Sequence, residues 1–255
     1  MEAQQPNHAP SDLKDEMVKC SSSSICSAST TETLSHNAPF SPDRSLFINC
    51  KGIRAIRLPV PSFELEIPIY DADANLMYTS TRERKWSGDA VLSSPKGGDL
   101  VSTSYFFGPN RNPIIQQLHP SDLEVGGSIE VTGKWTSRDT AFTLSNGKTF
   151  EWSYVREKQP DGKKRTLLVL HLVDGKSTNP GRRLAQLVRS SETRPPGASK
   201  CNAGTGGELV LNADAVEWID EPMVVATCIL MLKKEIDRRR LIQAAVLSGG
   251  GGGGS

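Results

Sequence analysis

The feature that most constrains the fold is the segment EPMVVATCILMLKKEIDRRR, residues 221–240. Ten consecutive residues, 223–232, carry hardly any polar side-chain atoms, and seven charges crowd the eight positions that follow. Because the apolar residues cover every face of a helix and not one stripe, such a helix must be enclosed on all sides. Ten helical residues span about 15 Å, half of a hydrocarbon core of about 30 Å, so we expect no transmembrane segment.

The local sequence also predicts where this helix begins. Asp220 and Glu221 precede Pro222; acidic side chains favour the positive end of the helix dipole, and proline is tolerated in the first turn. The charges from Lys233 onwards predict the point where the helix emerges into water. A coiled coil is disfavoured because its seam leaves polar residues on the other faces. The remaining way to enclose the helix is inside the chain's own strands.

Most of the preceding sequence has the period of two that is typical of β-strands. In FELEIPIY, residues 63–70, apolar side chains alternate with Glu and Pro. Asn146-Gly147 predicts a two-residue hairpin turn in which both residues have positive φ. We count about twelve short runs: IRAIRL (53–58), FELEIPIY (63–70), LMYTS (76–80), DAVLS (89–93), LVSTSYFFG (100–108), PIIQQL (113–118), SIEVTGKW (128–135), TAFTLSN (140–146), KTFEWSYV (148–155), RTLLVLHLV (165–173), RRLAQLVRS (182–190) and GELVLNA (207–213).

A closed antiparallel sheet of about twelve strands is too wide to be filled by its own side chains and has room for a helix. The sequence therefore predicts a mainly β chain, a closed barrel around the hydrophobic C-terminal helix, over residues 46–247. Residues 1–45 are rich in Ser, Thr, Pro, Asn and Ala, which predicts a disordered leader. Residues 248–255 are almost all glycine and predict a flexible tail.

Several segments in the second half of the chain resemble those of a known superfamily. The segments FTLSNGKTFEW, RRLAQLVRS, GGELVL and MVVATCILMLKKEIDRRR are similar to those of uncharacterised fungal proteins of the tubby C-terminal-like superfamily, which also contains the phospholipid scramblases and the plant LURP-one-related proteins. The resemblance covers roughly residues 53–243. It implies a twelve-stranded barrel around a hydrophobic C-terminal helix, and tubby proteins bind phosphoinositides through a basic pocket.

Composition limits the partners and the compartment. Thirty basic and 29 acidic side chains leave a formal charge of +1, so no global field favours nucleic acid, and any anionic partner needs a local patch. The five cysteines are scattered and lack the close pairs of a zinc or redox site. The N-terminus shows no secretory signal pattern. We therefore expect a cytoplasmic protein, with a peripheral membrane location as an alternative.

No motif identifies a reaction. GKST, residues 175–178, lacks the upstream glycine of a phosphate-binding loop, because position 170 is Leu. DADAN, residues 71–75, begins like a calcium loop but has Leu76 in place of the required glycine and Arg82 in place of the bidentate Glu, so it is interpreted as a hairpin turn. His171 is interpreted as structural. We expect no catalytic residue, no cofactor and no metal site.

The basic clusters are the features with a plausible ligand, since guanidinium and ammonium groups suit phosphate. The alternative is that they are solvated strand ends and a helix cap. The candidate anion- or lipid-binding residues are Lys163, Lys164, Arg165, Arg182, Arg183, Lys233, Lys234, Arg238, Arg239 and Arg240.

These observations favour a non-catalytic, monomeric barrel domain that acts as an interaction or membrane-surface adaptor, with phosphoinositide binding as one version. Its partner would be a protein or an anionic membrane lipid. The alternative is an enzyme or small-ligand carrier with a cavity beside the central helix.

Overall fold

The computed structural model describes residues 40–54, 64–85, 87–108, 111–119, 127–133, 137–158, 162, 164–173 and 181–249. All of them belong to one compact unit, residues 35–255. The elements in these ranges are β1 (Pro42–Ile48), β2 (Glu66–Tyr70), β3 (Leu76–Thr81), β4 (Ala90–Ser94), β5 (Gly98–Ser104), β6 (Ile114–Gln117), β7 (Ser128–Thr132), β8 (Thr140–Thr143), β9 (Thr149–Lys158), β10 (Lys164–Val173), β11 (Arg182–Val188), β12 (Gly207–Asn212), a 3-10 helix (Ala215–Glu217) and α1 (Glu221–Gly249).

The twelve strands form a closed antiparallel barrel, as the sequence predicts. Each strand pairs with its neighbour in the chain, and β1 closes the sheet against β12, where Leu46 lies opposite Leu209. Closure removes the two free edges that an open sheet would expose to other chains. The alternation in β2 is also confirmed, with Ile67 and Ile69 buried and Glu66 exposed.

One strand differs from its prediction, although the total is right. The predicted strand IRAIRL contributes only an isolated bridge between Ile53 and Ala203, and residues 55–58 lie outside the described part of the chain. Its place is taken by β1, whose first four residues, 42–45, fall within the predicted leader. The compositional argument fails there because Ser45 and its neighbours are held by backbone pairing with β12, which does not require apolar side chains. Residues 1–39 of the leader and 250–255 of the tail lie outside the described residues, while α1 extends to Gly249, two residues past the predicted domain boundary.

The barrel interior is filled by inward-facing strand residues and by the first half of α1. Residues 223–232 are all buried, which confirms that the helix is enclosed. Met223 and Val224 donate their N–H groups to the Asp220 carbonyl oxygen, and the helix begins at the predicted position. The indole Nε1 of Trp152, on β9, donates a 3.0 Å hydrogen bond to Thr227 Oγ1 and ties the wall to the helix.

The predicted exit of the helix at Lys233 is wrong. Lys233, Lys234, Asp237 and Arg240 are all buried, and full exposure begins at Leu241. The charges stay inside because ion pairs and hydroxyl contacts compensate part of their desolvation, as detailed below. α1 has 29 residues, about 44 Å at 1.5 Å per residue, but no helix in the described part of the chain has an apolar stretch long enough to cross a bilayer.

Two turns test the local predictions. The segment 71–75 joins β2 to β3, and the Asp71 carboxylate accepts hydrogen bonds from the backbone N–H groups of Asp73 and Asn75, so its interpretation as a hairpin turn is confirmed. Asn146-Gly147 does join β8 to β9, yet only Gly147 has a positive φ, at 79°. Leu144 pairs with Lys148 around a longer loop, so the predicted two-residue geometry is wrong.

Candidate functional site at the C-terminal half of the central helix

The entrance of α1 is sealed by complementary polar contacts. Glu221 accepts a 2.7 Å hydrogen bond from the Tyr78 hydroxyl and lies 2.6 Å from Arg44 Nε. Asp220 accepts a 3.2 Å bond from Gln117 Nε2. Burial and the Glu221 carboxylate raise the pKa of Tyr78, which therefore remains a neutral donor. These contacts hold the start of α1 against the barrel wall. The candidate anion-binding residues of α1 lie towards its other end.

On one face of the second half of α1, two buried cations share one carboxylate. Lys233 Nζ lies 2.7 and 2.8 Å from the two Asp237 carboxylate oxygens, and Arg240 Nη1 lies 3.2 Å from Asp237 Oδ1. Burial lowers the pKa of Lys233, while Asp237 opposes that change. Lys233 and Arg240 were both predicted to bind an external anion, but each is already paired with the Asp237 carboxylate. Their role in this geometry is to let a charged helix turn remain inside the barrel.

Glu235 forms a second network that the sequence does not reveal. Its carboxylate is bound by Arg189 through two hydrogen bonds of 3.0 and 3.1 Å, by the Gly204 backbone N–H at 2.8 Å, and by the Tyr154 hydroxyl. Burial alone would raise the pKa of Glu235, but the Arg189 guanidinium and these donors hold it below its ordinary value. The network joins α1 to β9, β11 and the loop before β12. Spacing along the chain gives no signal for it, because its members are up to 81 residues apart.

Lys234, on this half of α1, has no carboxylate partner among the described residues. Its side chain is 5% exposed, and its Nζ donates a 2.7 Å hydrogen bond to the Thr140 hydroxyl at the start of β8. One turn later, Arg238 donates to the carbonyl oxygens of Ser137, at 2.7 Å, and of Lys234, at 3.2 Å. Burial, and secondly the neighbouring Arg238, lower the pKa of Lys234 to about 8. The Arg238 Nη2 atom is buried without a hydrogen-bond partner.

Lys234 also lines a small pocket at this end of the barrel. The pocket has a volume of about 30 Å³, and Tyr105, Phe107, Arg111 and Gly133 form part of its wall. A second cavity, beside Lys233 and Arg82, holds about 10 Å³. Ligand pockets for metabolites occupy about 300–1,000 Å³. Both cavities are at most about a tenth of that volume and do not favour the small-ligand carrier.

Of the remaining predicted cations, Arg182 and Arg183 are each paired with a carboxylate. Arg182 is paired with Asp214, beside the entrance of α1, whereas Lys234 lies 13 residues into the helix, about 20 Å along its axis. Arg183 Nη1 lies 2.7 Å from Glu157 Oε1. Lys163 lies outside the described residues. Of the others, Lys164 is exposed at the start of β10, while Arg165 and Arg239 are half-buried.

His171 offers little support for a hydrolytic reaction. Its Nδ1 lies 3.5 Å from Ser153 Oγ, on the neighbouring strand β9, which is at the long limit of a hydrogen bond. Burial, and then Arg183, lower the pKa of the imidazole. The arrangement is that of packing between two adjacent strands.

The last turns of α1 carry an exposed apolar surface that the sequence argument missed. Leu241, Ile242, Val246 and Leu247 are between 43% and 69% exposed. At 100° per residue, Leu241, Ile242, Ala245 and Val246 fall within an arc of about 140°. The apolar residues of LIQAAVLS, 241–248, carry this signal in the sequence.

Comparison with protein-family models, with curated proteins and with solved structures found no match to this chain.

Proposed function

We propose that this protein is a non-catalytic barrel adaptor that attaches to anionic membrane surfaces through the last turns of α1. The observation that carries the proposal is the exposed apolar stripe around Ile242 and Val246, which lies next to the half-buried Arg239 on the helix surface. Residues three and seven positions apart share one helix face. An apolar stripe bordered by arginine is the composition of helices that lie in the membrane interface.

The position of the stripe supports a lipid surface as the occupant. Gln243 Nε2 donates to the Arg54 carbonyl oxygen at 3.1 Å, so one side of these turns rests on the barrel while the stripe faces away from it. The stripe belongs to the end of a helix that the barrel anchors over its whole first half, and it can enter an interface without any rearrangement of the core. A basic neighbour favours the negative potential of anionic lipids.

The expected affinity is modest. Partial burial of the four exposed side chains would contribute roughly 4 kcal/mol, and one arginine near an anionic surface adds about 1 kcal/mol. Together these correspond to a dissociation constant of roughly 0.2 mM. The attachment would be reversible and would depend on a high local density of anionic lipid.

The phosphoinositide version of the hypothesis finds less support than a general anionic surface. A specific headgroup pocket would need several free cations that converge. Arg182 and Arg183 are already paired with Asp214 and Glu157, and Lys233 with Asp237. Phosphoinositide binding, which the resemblance to tubby proteins implies, therefore stays a prediction.

Vesicle flotation with the full chain tests the proposal. Wild-type protein is expected to float with vesicles of phosphatidylcholine and phosphatidylserine, less with phosphatidylcholine alone, and less as salt rises. The double variant Ile242→Ser, Val246→Ser should lose retention. Val216→Ser is the matched control, because Val216 is 58% exposed in the 3-10 helix before the entrance of α1.

Two results would contradict the proposal: no retention of wild type on either vesicle, or equal retention of the double variant. A third set of vesicles containing a phosphoinositide separates headgroup recognition from surface charge. Selective flotation on those vesicles that Arg182→Gln abolishes would replace the general surface with a specific site.

A further inference from the structure

We infer that the pocket lined by Lys234 and Arg111 is a binding site for a small phosphate-type oxyanion. The inference does not depend on the proposed membrane attachment, because it concerns a buried cation and not the exposed stripe. It begins from an electrostatic imbalance. Two cations on adjacent turns of α1, Lys234 and Arg238, have no ion pair with a carboxylate in the described part of the chain.

The lack of a carboxylate partner distinguishes Lys234 from the residue before it. Lys233, the preceding residue, makes two bonds to Asp237, and Asp237 also binds Arg240. Lys234 points the other way, to the Thr140 hydroxyl, which uses one of the three ammonium donors. A buried charge without a counter-charge is costly. An anion in the adjoining pocket would supply the missing negative charge.

The walls of the pocket fit an oxyanion. Lys234 provides buried ammonium donors, and the exposed Arg111 lines the same pocket, where its guanidinium lies 5.7 Å from the centre of the Phe106 ring. The segment YFFGPNRNP, residues 105–113, which supplies most of the lining, contains no acidic residue. Asn112, another residue of the lining, donates a 2.7 Å bond from its Nδ2 to Glu130.

Charges beyond the lining reinforce this preference. Arg238 lies close enough to contribute to the lowered pKa of Lys234, and one of its guanidinium nitrogens, Nη2, is buried without a partner. Asp237 acts on the Tyr105 hydroxyl from behind the wall, but its oxygens are committed to Lys233 and Arg240. Both charged side chains of the described lining, Lys234 and Arg111, are cations.

The size of the pocket limits the ligand. A volume of about 30 Å³ is roughly twice what one ordered water needs. That is enough for a compact group of a few atoms and too little for a nucleotide or a sugar. The phosphate could be the free inorganic ion or the terminal group of a larger ester whose remainder stays outside.

Calorimetric titration of the full chain with inorganic phosphate tests this site. Wild type is expected to bind saturably at pH 7, with chloride at equal ionic strength as the blank. Lys234→Met should weaken binding by about tenfold or more, since it removes a charge-assisted hydrogen bond. Arg111→Gln should weaken it to a smaller extent. Lys96→Met is the matched control, because Lys96 is exposed in the turn between β4 and β5.

Two further arms make the outcome decisive. Glycerol phosphate and vesicles containing phosphatidic acid distinguish the free ion, a soluble ester and a lipid headgroup. Binding should also weaken from pH 7 to pH 9 as Lys234 loses its proton, whereas a merely structural lysine would leave the titration unchanged. Circular dichroism of each variant checks that it is folded.

The inference is overturned by the absence of saturable phosphate binding in wild type, or by undiminished binding in folded Lys234→Met. Either failure leaves the vesicle result for the Ile242 and Val246 variant unaffected. In the same way, loss of flotation in that variant says nothing about phosphate in the pocket. The two proposals therefore succeed or fail separately.

Discussion

Breaking the pair of Glu235 with Arg189 is expected to be strongly destabilising, because it leaves one buried charge without its partner. Two hydrogen bonds of 3.0 and 3.1 Å join the side chains, which are 13% and 22% exposed. Glu235→Met leaves a largely buried guanidinium without its carboxylate, and removing one partner of a buried pair costs about 3–5 kcal/mol. Because Arg189 retains some solvent contact, we expect about 3 kcal/mol.

A double-mutant cycle separates this coupling from lost packing. Arg189→Met should also destabilise the fold, but the double variant should lose much less than the sum of the two single changes, with a coupling of about 2 kcal/mol. Urea unfolding of the full chain, followed by the fluorescence of the buried Trp152, measures all three variants. Glu235→Gln is the matched control, because it keeps an acceptor for the Gly204 N–H.

The result that would refute this reasoning is additivity. If the double variant loses the sum of the single effects to within about 0.5 kcal/mol, the two side chains do not act as a pair. A loss below about 1 kcal/mol for Glu235→Met would equally show that water, and not Arg189, satisfies the carboxylate.

Three further predictions concern neighbouring parts of α1. Lys234 has a pKa of about 8 in the folded protein and about 10.4 in an unfolded chain, so its charge destabilises the fold below pH 8. Lys234→Met should therefore raise the free energy of unfolding by up to about 3 kcal/mol below pH 8. Paired denaturation curves should show this gain vanishing by about pH 10.4. Thr227→Val should cost about 1–3 kcal/mol in urea unfolding, because it leaves the buried Trp152 N–H without an acceptor. In a Trp152→Phe background, which has no N–H to leave unpaired, the same Thr227→Val change should cost much less. Gly204→Ala should cost about 3 kcal/mol in thermal unfolding, since φ is 69° and the new Cβ would lie 2.3 Å from Ile236 Cγ1; an unchanged melting temperature would contradict this.

The buried charges change the way the helix should be understood. The apolar residues 223–232 explain why the first half of α1 is enclosed. The next two turns are also inside the barrel, because Asp237 is paired with Lys233 and Glu235 with Arg189. Each ion pair offsets desolvation without contributing the net stability of an apolar contact. This half of α1 therefore places charged side chains inside the barrel more than it adds apolar contacts to the core.

The candidate site was only partly accessible to sequence reasoning. The prediction that cations gather after residue 232 is correct as a statement of composition, but proximity in the chain suggested one solvated patch. In three dimensions successive helix residues point about 100° apart. Lys233 and Lys234 consequently face different surroundings, one an internal carboxylate and the other a hydroxyl and a pocket.

The sequence by itself determined the architecture, because period-two strands and a helix that is apolar on every face leave few ways to bury what must be buried. Strand alternation and the apolar run from Met223 to Leu232 are local properties, so they can be read along the chain. Only the tertiary structure decided which charges are paired, where the helix leaves the barrel, and that residues 42–45 complete the sheet. Those outcomes depend on contacts between residues distant in sequence, such as Arg189 with Glu235, and on backbone hydrogen bonds that almost any side chain permits.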